Sequence, residues 1–230
     1  GSFYDATNEK SFTNALGIVI SQALNNTTAQ VNLLDYSGKA TETNINMTFY
    51  DQNTDQVFYN LVHTMNNRGN PDTLQLDPVH TYRVVAHTIP SKEVDSVIIT
   101  PGKHTVIGIS TPQGTLEFKM NGVNPDADKL KIIVREKGDM NTLHVQSFAD
   151  IEKYIIGKYD LEILTLPRTY IDDVEITQSH TTTIQIPQPG VATFSKNGHG
   201  YGSIYIVQKN KLELVANLSR TKDRETPNLM

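Results

Sequence analysis

Two short acidic stretches contain residue types that could bind a metal ion. "DQNTDQ" carries Asp51 and Asp55, and "NPDAD" carries Asp126 and Asp128, with the alternate spacing that opens a calcium-binding loop. Neither stretch has the glycine and the glutamate that complete such a loop. Because turns are rich in the same residues, we interpret both as solvated turns. The alternative is a calcium ion that rigidifies the linker at Asp126 and Asp128, and no other cofactor is expected.

The remaining candidates for chemistry are scattered. The chain has no cysteine, which excludes disulfides, thiol nucleophiles and cysteine-based zinc sites. No serine lies in a G-x-S-x-G motif, and no glycine-rich loop opens a helix. Five histidines show no ligand spacing and are predicted in surface turns: His63, His104, His144, His180 and His199. The sequence therefore predicts no catalytic residues and a protein that is not an enzyme.

The net charge and the hydropathy of the chain bear on whether it binds nucleic acid or inserts into a membrane. The chain of 230 residues has a formal net charge of −5 and a pI near 5.8, whereas nucleic-acid-binding domains normally present a basic face. No segment approaches the roughly 18 consecutive apolar residues of a membrane-spanning helix. We therefore expect no nucleic-acid partner and no direct insertion into a membrane.

The chain contains an internal repeat. At an offset of 77 residues, identical residues coincide at Tyr82/Tyr159, Thr88/Thr165, Pro90/Pro167, Val97/Val174, Ile99/Ile176, Ile107/Ile184 and Ile109/Ile186. At an offset of 76 the match continues with Gly114/Gly190, Phe118/Phe194 and Gly122/Gly198. This period is longer than that of most solenoid repeats, so each copy is predicted to be a whole small domain.

The pattern within the repeat indicates strands. "YDLEIL" and "TTTIQIP" alternate apolar and polar residues, as half-buried strands do, and "TPG" and "PQPG" are turn sequences. Short strands separated by frequent turns favour an antiparallel sandwich. We predict a mainly β protein of tandem antiparallel β-sandwiches, either immunoglobulin-like or prealbumin-like, with one N-terminal α-helix. The predicted sandwiches span residues 29–122 and 123–200, and a third begins at 201–230.

The N-terminal segment carries a different pattern. In "NEKSFTNALGIVISQALNN", Phe12, Leu16 and Val19 or Ile20 recur at the spacing of an amphipathic helix. Its apolar stripe has to dock on a sandwich or on a preceding domain.

A resemblance to a known family follows from these residues. "GSFYDATNEKSFTNALGIVISQALNN" resembles the last strand and last helix of a von Willebrand factor A-type domain. "LLDYSGKATETNINMTFYD" and "TPGKHTVIGISTPQGTLEF" resemble the β-sandwich tail of such proteins in the Bacteroidota, and the sandwiches resemble carboxypeptidase-regulatory or prealbumin-like modules. The resemblance implies that residues 1–28 close a preceding α/β domain.

The family's metal-dependent adhesion site does not fit this chain. That site needs Asp-x-Ser-x-Ser, and "DYSGK" offers Asp35 and Ser37 but has Lys39 in place of the second serine. We interpret it as a hairpin turn. The resemblance further implies an exported protein of the bacterial periplasm or cell surface, with other envelope or outer-membrane proteins as partners.

Two tripeptides are candidate glycosylation signals, and two tyrosines are candidate carbohydrate-binding residues. "DTL" and "DSV" resemble the O-glycosylation signal of Bacteroidota envelope proteins. This resemblance implies that Thr73 and Ser96 are modified.

The main hypothesis for the function of the chain is a non-enzymatic structural or protein-binding module. The alternatives are the accessory region of an enzyme such as a peptidase, and a carbohydrate-binding module that uses Tyr50 or Tyr59. The absence of tryptophan counts against the carbohydrate alternative.

Overall fold

The structure, a computed structural model, describes residues 9–122, 127–188, 190, 192–208, 210–221 and 224–225. The chain divides into two compact units, residues 1–113 and 114–230. The predicted fold class is confirmed, because the described residues form antiparallel-rich β-sheets and one N-terminal helix.

The helix α1 spans Glu9–Asn25, as the apolar spacing predicts. Its apolar stripe is not covered, since Phe12 is 56% exposed and Leu16 is 46% exposed. The expected docking of this stripe on a sandwich is therefore absent from the described residues. Within that part of the chain, no helix combines the length and the hydrophobicity needed to cross a membrane.

The first unit is a sandwich of two sheets. Its strands are β1 (Thr28–Leu34), β2 (Ile45–Asp51), β3 (Val57–His63), β4 (Leu74–Gln75), β5 (Thr81–Ala86), β6 (Lys92–Ile98) and β7 (His104–Ser110). One sheet has the order β4-β1-β7 and the other the order β3-β2-β5-β6. The first and last strands, β1 and β7, run parallel, and the other pairs are antiparallel.

The core of this sandwich lies between the two sheets. Alternate residues of each strand point inward, which places Val31, Met47, Phe49 and Val84 in one apolar cluster. Phe49 is fully buried and meets the Tyr82 ring edge-on at 6.4 Å. Each large side chain buried in this way contributes about 1.5–3 kcal/mol relative to an exposed position.

The second unit repeats this arrangement. Its strands are β8 (Gln113–Met120), β9 (Lys131–Glu136), β10 (His144–Ser147), β11 (Glu152–Ile155), β12 (Gly157–Ile163), β13 (Thr169–Ile176) and β14 (Thr181–Ile186). The sheet orders are β11-β8-β14 and β10-β9-β12-β13, which match those of the first sandwich strand for strand. The parallel pair is again formed by the first and last strands, β8 and β14.

The predicted boundary after residue 122 differs from this topology. That boundary assigns β8 to the first sandwich, whereas β8 pairs with β14 and the second compact unit begins at Gly114. The physical reason is that a periodic sequence fixes the length of a repeat but not the residue at which the unit starts. A Cβ at Gly114 would lie 2.2 Å from the carbonyl oxygen of Thr177, so this strand approaches the second sandwich too closely for a side chain.

Four further strands follow the second sandwich: β15 (Phe194–Ser195), β16 (Gly202–Gln208), β17 (Lys211–Leu218) and β18 (Arg224–Glu225). β15 pairs with β18 and β16 pairs with β17, both antiparallel. These are the pairings that β1–β4 and β2–β3 make in the first sandwich. The third sandwich stays a prediction. If it follows the strand order of the first two, its first strand is β15 and not a strand after residue 201.

Both sandwiches share one buried tyrosine contact. Tyr82 donates its hydroxyl to the Asp77 carbonyl at 3.0 Å, and Tyr159 donates to the Ile155 carbonyl at 2.6 Å. Each tyrosine thereby ties its strand to the backbone a few residues upstream, the arrangement known as a tyrosine corner in immunoglobulin-like sandwiches.

Both also share the loop after this strand. The peptide bonds preceding Pro90 and Pro167 are cis. Thr88 donates its hydroxyl to the Pro90 carbonyl at 2.6 Å, and Thr165 donates to the Pro167 carbonyl at 2.7 Å. The identical residues found by the sequence offset therefore hold the same loop in each copy.

Candidate functional site

Asp35 closes a tight turn rather than a metal-binding loop. Its Oδ1 accepts bonds from the Lys39 amide at 2.9 Å and from the Ser37 amide and hydroxyl at 2.8 Å, while Oδ2 accepts from Thr41 at 3.0 Å. The bond from Lys39, followed by that from Ser37, lowers the pKa of Asp35 from 3.8 to about 2. Leu34 bridges to Ala40 across the turn, so the predicted hairpin turn is present.

Asp51 holds a second turn in the same way. Its Oδ1 accepts from the Asn53 amide at 3.0 Å and from the Thr54 amide at 2.9 Å. Its Oδ2 lies 2.9 Å from Nδ1 of His80, whose ring packs on Phe58 with centroids 4.5 Å apart. Burial acts to raise the pKa of Asp51, but these hydrogen bonds outweigh it and lower the pKa below 3.8.

Asp55 pairs with an arginine. Its Oδ1 lies 2.8 Å from Nη2 of Arg83, and this bond raises the pKa of the guanidinium. A carboxylate occupied by Arg83 and a carboxylate occupied by turn amides are poor ligands for calcium, which needs six to eight oxygens around it. The geometry thus gives Asp51 and Asp55 structural roles.

The second acidic stretch is only partly described. Asp126 lies outside the described residues. Asp128 lies in a short 3-10 helix, Ala127–Lys129, beside a surface depression of about 530 Å³ that Phe118, Met120 and Phe148 line. Among the residues that the structure describes, no group of three or more His, Asp or Glu side chains could hold a metal ion.

The prediction that the histidines lie in surface turns is wrong for His63. This residue ends β3 and is 3% exposed, because it points between the two sheets of the first sandwich. Its Nε2 lies 2.9 Å from the Val31 carbonyl on β1, so Nε2 carries the proton and joins the two sheets. Its Nδ1 is buried with no hydrogen-bond partner in the described part of the chain. His180 and His199 lie in exposed segments outside the strands, as predicted.

His104 and His144 lie on strands. His104 begins β7 and its ring bonds Thr28 at 2.9 Å and Gln30 at 3.1 Å, both on β1. His144 begins β10 and packs edge-on against Tyr154 at 6.1 Å. These two histidines therefore contact neighbouring strands, and the prediction of surface turns is wrong for them.

Gln146 is a buried polar residue that the sequence pattern does not reveal. It is 1% exposed on β10, and its Nε2 donates to the Leu116 carbonyl on β8 at 3.0 Å and to the Asp150 carbonyl at 2.9 Å. Its Oε1 accepts the Tyr154 hydroxyl at 3.0 Å. Burial raises the pKa of Tyr154, which keeps this hydroxyl a donor. Gln146 therefore joins the two sheets of the second sandwich.

Glu162 forms the most buried ion cluster among the described residues. It lies on the outer face of β12, yet it is 6% exposed. Its Oε2 lies 2.7 Å from Nη2 of Arg135, and its Oε1 bonds Arg168. Burial acts to raise the pKa of Glu162, but the two arginines outweigh it and lower the pKa below 4.5. Strand alternation predicts an exposed side chain here, so only the flanking arginines could have signalled the cluster.

The two tyrosines proposed for carbohydrate stacking have intramolecular partners. The guanidinium of Arg83 lies 4.3 Å from the centre of the Tyr50 ring. Tyr59 donates its hydroxyl to the Gln75 carbonyl at 3.1 Å and meets Phe49 edge-on. Arg83 therefore covers one face of the Tyr50 ring, whereas Tyr59 is 39% exposed.

Both proposed O-glycosylation residues are exposed. Thr73 lies just before β4, and Ser96 lies in a β-bulge of the edge strand β6 with a φ of 57°. Asp173 occupies the same bulge in β13 with a φ of 61°. Modification of Thr73 and Ser96 stays a prediction.

No protein-family model matches the chain, and no curated protein matches it either. The solved structures similar to this chain include three with 9–10% sequence identity. The Bacillus anthracis TIE protein has a TM-score of 0.28, with 70% of this chain and 34% of that chain covered. The pilus adhesin SpaC from Lactobacillus rhamnosus GG has a TM-score of 0.25, with 88% and 34% covered. A "putative adhesin" from Bacteroides ovatus has a TM-score of 0.32, with 83% and 94% covered. The chain therefore spans about a third of the length of the first two.

Proposed function

We propose that this chain is a non-enzymatic structural and protein-binding region of an exported bacterial protein. The observation that carries the proposal is the use of its polar side chains. Asp35 and Asp51 hold turns, His63 and Gln146 join sheets, and Glu162 is neutralised by arginines. These five potential acids, bases or ligands are thus engaged in holding the fold.

The uncovered helix supports the origin that the resemblance implies. The stripe of α1, with Phe12 and Leu16 about half exposed, needs an apolar partner to be stable in water. The last helix of a von Willebrand A-type domain finds that partner in its own domain. In this proposal residues 1–28 close such a domain, and the sandwiches follow it in the periplasm or at the cell surface.

Edge strands supply the binding surface of the proposal. β3 is an edge strand of the first sandwich, and Val57 and Val62 on it are each 51% exposed. An exposed edge with aliphatic side chains can pair with a strand of another protein. The partners would be other envelope or outer-membrane proteins.

Two measurements with the purified chain test this function. The first is binding to detergent-solubilised envelope proteins from a Bacteroidota bacterium, with the cytosolic fraction as the control. We expect envelope binding that Val62→Lys weakens, while Val79→Lys, at an exposed position outside the strands, leaves it unchanged. The second is a screen with peptidase, esterase and glycosidase substrates. Turnover that disappears with one side chain would overturn the proposal.

Calcium binding is tested separately. We propose that the fold needs no cofactor, so the melting temperature should be equal in calcium and in a chelator. A higher melting temperature in calcium that Asp128→Asn abolishes would instead support a bound ion at the linker.

A further inference from the structure

We propose that each sandwich is built to carry tensile load through its first and last strands. This inference rests on the proposed structural function and adds a mechanism to it. It starts from a parallel strand pair found in each sandwich of the described chain, β1 with β7 and β8 with β14.

The first pair has a geometry that resists pulling. Its seven residue pairs run in register from Thr28↔His104 to Leu34↔Ser110. A force along the chain enters β1 at Thr28 and leaves β7 at Ser110, which are opposite ends of the ladder. The two strands must then slide past each other, so all of their hydrogen bonds are loaded together. Antiparallel terminal strands would be loaded at one end and would open one bond at a time.

Contacts at both ends hold this ladder closed. The Thr28 amide donates to the Lys103 carbonyl at 3.2 Å, and the Thr111 amide donates to the Leu34 carbonyl at 2.9 Å. Next to the first of these, the Gly102 amide donates to the Thr27 hydroxyl at 2.7 Å. The His104 ring adds its bonds to Thr28 and Gln30 on β1. Sliding would have to break these side-chain bonds in addition to the ladder.

The core protects the ladder from water. Val31 and Leu33 on β1 are at most 2% exposed, and Ile107 and Ile109 on β7 are at most 4% exposed. β4 covers the start of the other edge of β1, so β1 is the central strand of its sheet. Hydrogen bonds shielded in this way open with the global unfolding of a domain rather than by local fraying.

The second sandwich has the same device. β8 and β14 run in register from Thr115↔Thr181 to Met120↔Ile186. Thr183 donates to Glu117 at 2.6 Å, and Gln185 donates to Asn121 at 3.0 Å, so side chains again join the two strands. Only Thr111 and Pro112 separate β7 from β8 along the chain. A tensile force that leaves β7 is therefore transmitted to β8 through this short linker.

A force measurement on the first sandwich tests the inference directly. The chain has no cysteine, so two introduced cysteines define the points of attachment. Asn26→Cys with Ser110→Cys pulls the strands in shear, and Asn26→Cys with Lys103→Cys pulls at one end of the same ladder. All three positions are exposed. The two proteins differ only in the direction of load, and we expect the shear force at unfolding to be about twofold higher or more. Equal forces, or a lower force in shear, would overturn the inference.

A matched pair of proline substitutions gives an independent test. The register and the Thr28–Lys103 bond place the Thr105 amide toward β1 and the Val106 amide toward the open edge. Thr105→Pro should therefore lower the shear force, whereas Val106→Pro should leave it nearly unchanged. An equal loss in both variants would also overturn the inference.

These measurements separate the two proposals. Low shear resistance would remove the load-bearing role and would leave a non-enzymatic binding region intact. Enzymatic turnover would remove the proposed function without changing the unfolding force.

Discussion

The two sandwiches share one backbone plan but join their sheets with different side chains. In the first, His63 on β3 donates to the Val31 carbonyl on β1, and its second ring nitrogen is buried without a partner in the described residues. In the second, Gln146 on β10 donates to the Leu116 carbonyl on β8, and both ends of its amide are bonded. Both sandwiches thus have a hydrogen-bond donor that joins the third strand to the first, while the residue that supplies it differs.

The outer faces differ in a similar way. Val85 on β5 and Glu162 on β12 are separated by the repeat offset of 77 residues, and they are 8% and 6% exposed. In the second copy the carboxylate is held by Arg135 and Arg168, whereas in the first an aliphatic side chain needs no ionic partner. An equally buried outer position is thus filled by apolar contact in one copy and by charge pairing in the other.

The largest expected effect comes from removing the amide of Gln146. Gln146→Leu leaves the Leu116 and Asp150 carbonyls and the Tyr154 hydroxyl without their partner, at a cost of about 3–5 kcal/mol in unfolding free energy. Hydrogen exchange of the full chain should show the loss of protection in β8–β14 alone.

The matched change in the first sandwich should cost less. His63→Leu removes a single bond to Val31 and also removes the buried, unpaired nitrogen, so we expect about 1–2 kcal/mol. Equal costs for the two variants would show that the His63 and Gln146 contacts are energetically equivalent, which would contradict this expectation.

The effect at the ion cluster should lie between those of the Gln146 and His63 variants. Glu162→Gln keeps the side-chain shape but leaves Arg135, with its side chain 17% exposed, without its anionic partner, at a cost of about 2–3 kcal/mol. Denaturant unfolding of the second sandwich measures the change. Val85→Ala is the control at the equivalent position, and it should cost about 1.5 kcal/mol because it removes two buried methyl groups.

Gly114 offers a smaller, steric test of where the second sandwich begins. Gly114→Ala places a methyl group against the Thr177 carbonyl, so we expect about 1–3 kcal/mol and a loss confined to the second sandwich. The control is Gly190→Ala, because Gly190 matches Gly114 in the repeat and has open space around it. A loss in the first sandwich would contradict the assignment of this strand.

Acid should lower the stability of the first sandwich through protonation of Asp35. The folded pKa of about 2 lies below the ordinary 3.8, so its contribution is complete above about pH 3.8 and is lost as the pH falls toward 2. Asp35→Asn should flatten the dependence of the unfolding free energy on pH in this window. A slope identical to that of the unaltered chain would remove Asp35 as its source.

The sequence predicts the features that depend on local pattern. The period-two alternation around Tyr159 and Ile184 indicates strands, the 3–4 spacing of Phe12 and Leu16 indicates the helix, and "DYSGK" indicates the turn. Each of these depends on residues close together in the chain, where propensity and periodicity apply.

The sequence does not predict the features that depend on pairing between distant strands. The repeat does not show at which residue each copy begins, so it assigns β8 to the wrong sandwich, whereas the pairing of β8 with β14 assigns it to the second. His63 enters the core because β3 and β1 face each other, and Glu162 is covered because Arg135 and Arg168 converge on it. Alternation alone marks neither side chain as buried.

The parallel contact between first and last strands underlies both the repeat boundary and the load-bearing role, and cross-linking tests it most directly. Paired residues of adjacent strands lie about 4.7–4.9 Å apart, within the range that a disulfide spans. Glu117→Cys with Thr183→Cys joins β8 to β14, and Gln30→Cys with Val106→Cys is the matched pair in the first sandwich. We predict that both pairs oxidise to an intramolecular disulfide in the folded chain. A Glu117→Cys, Thr183→Cys protein that stays reduced under conditions that oxidise the first-sandwich pair would contradict the account.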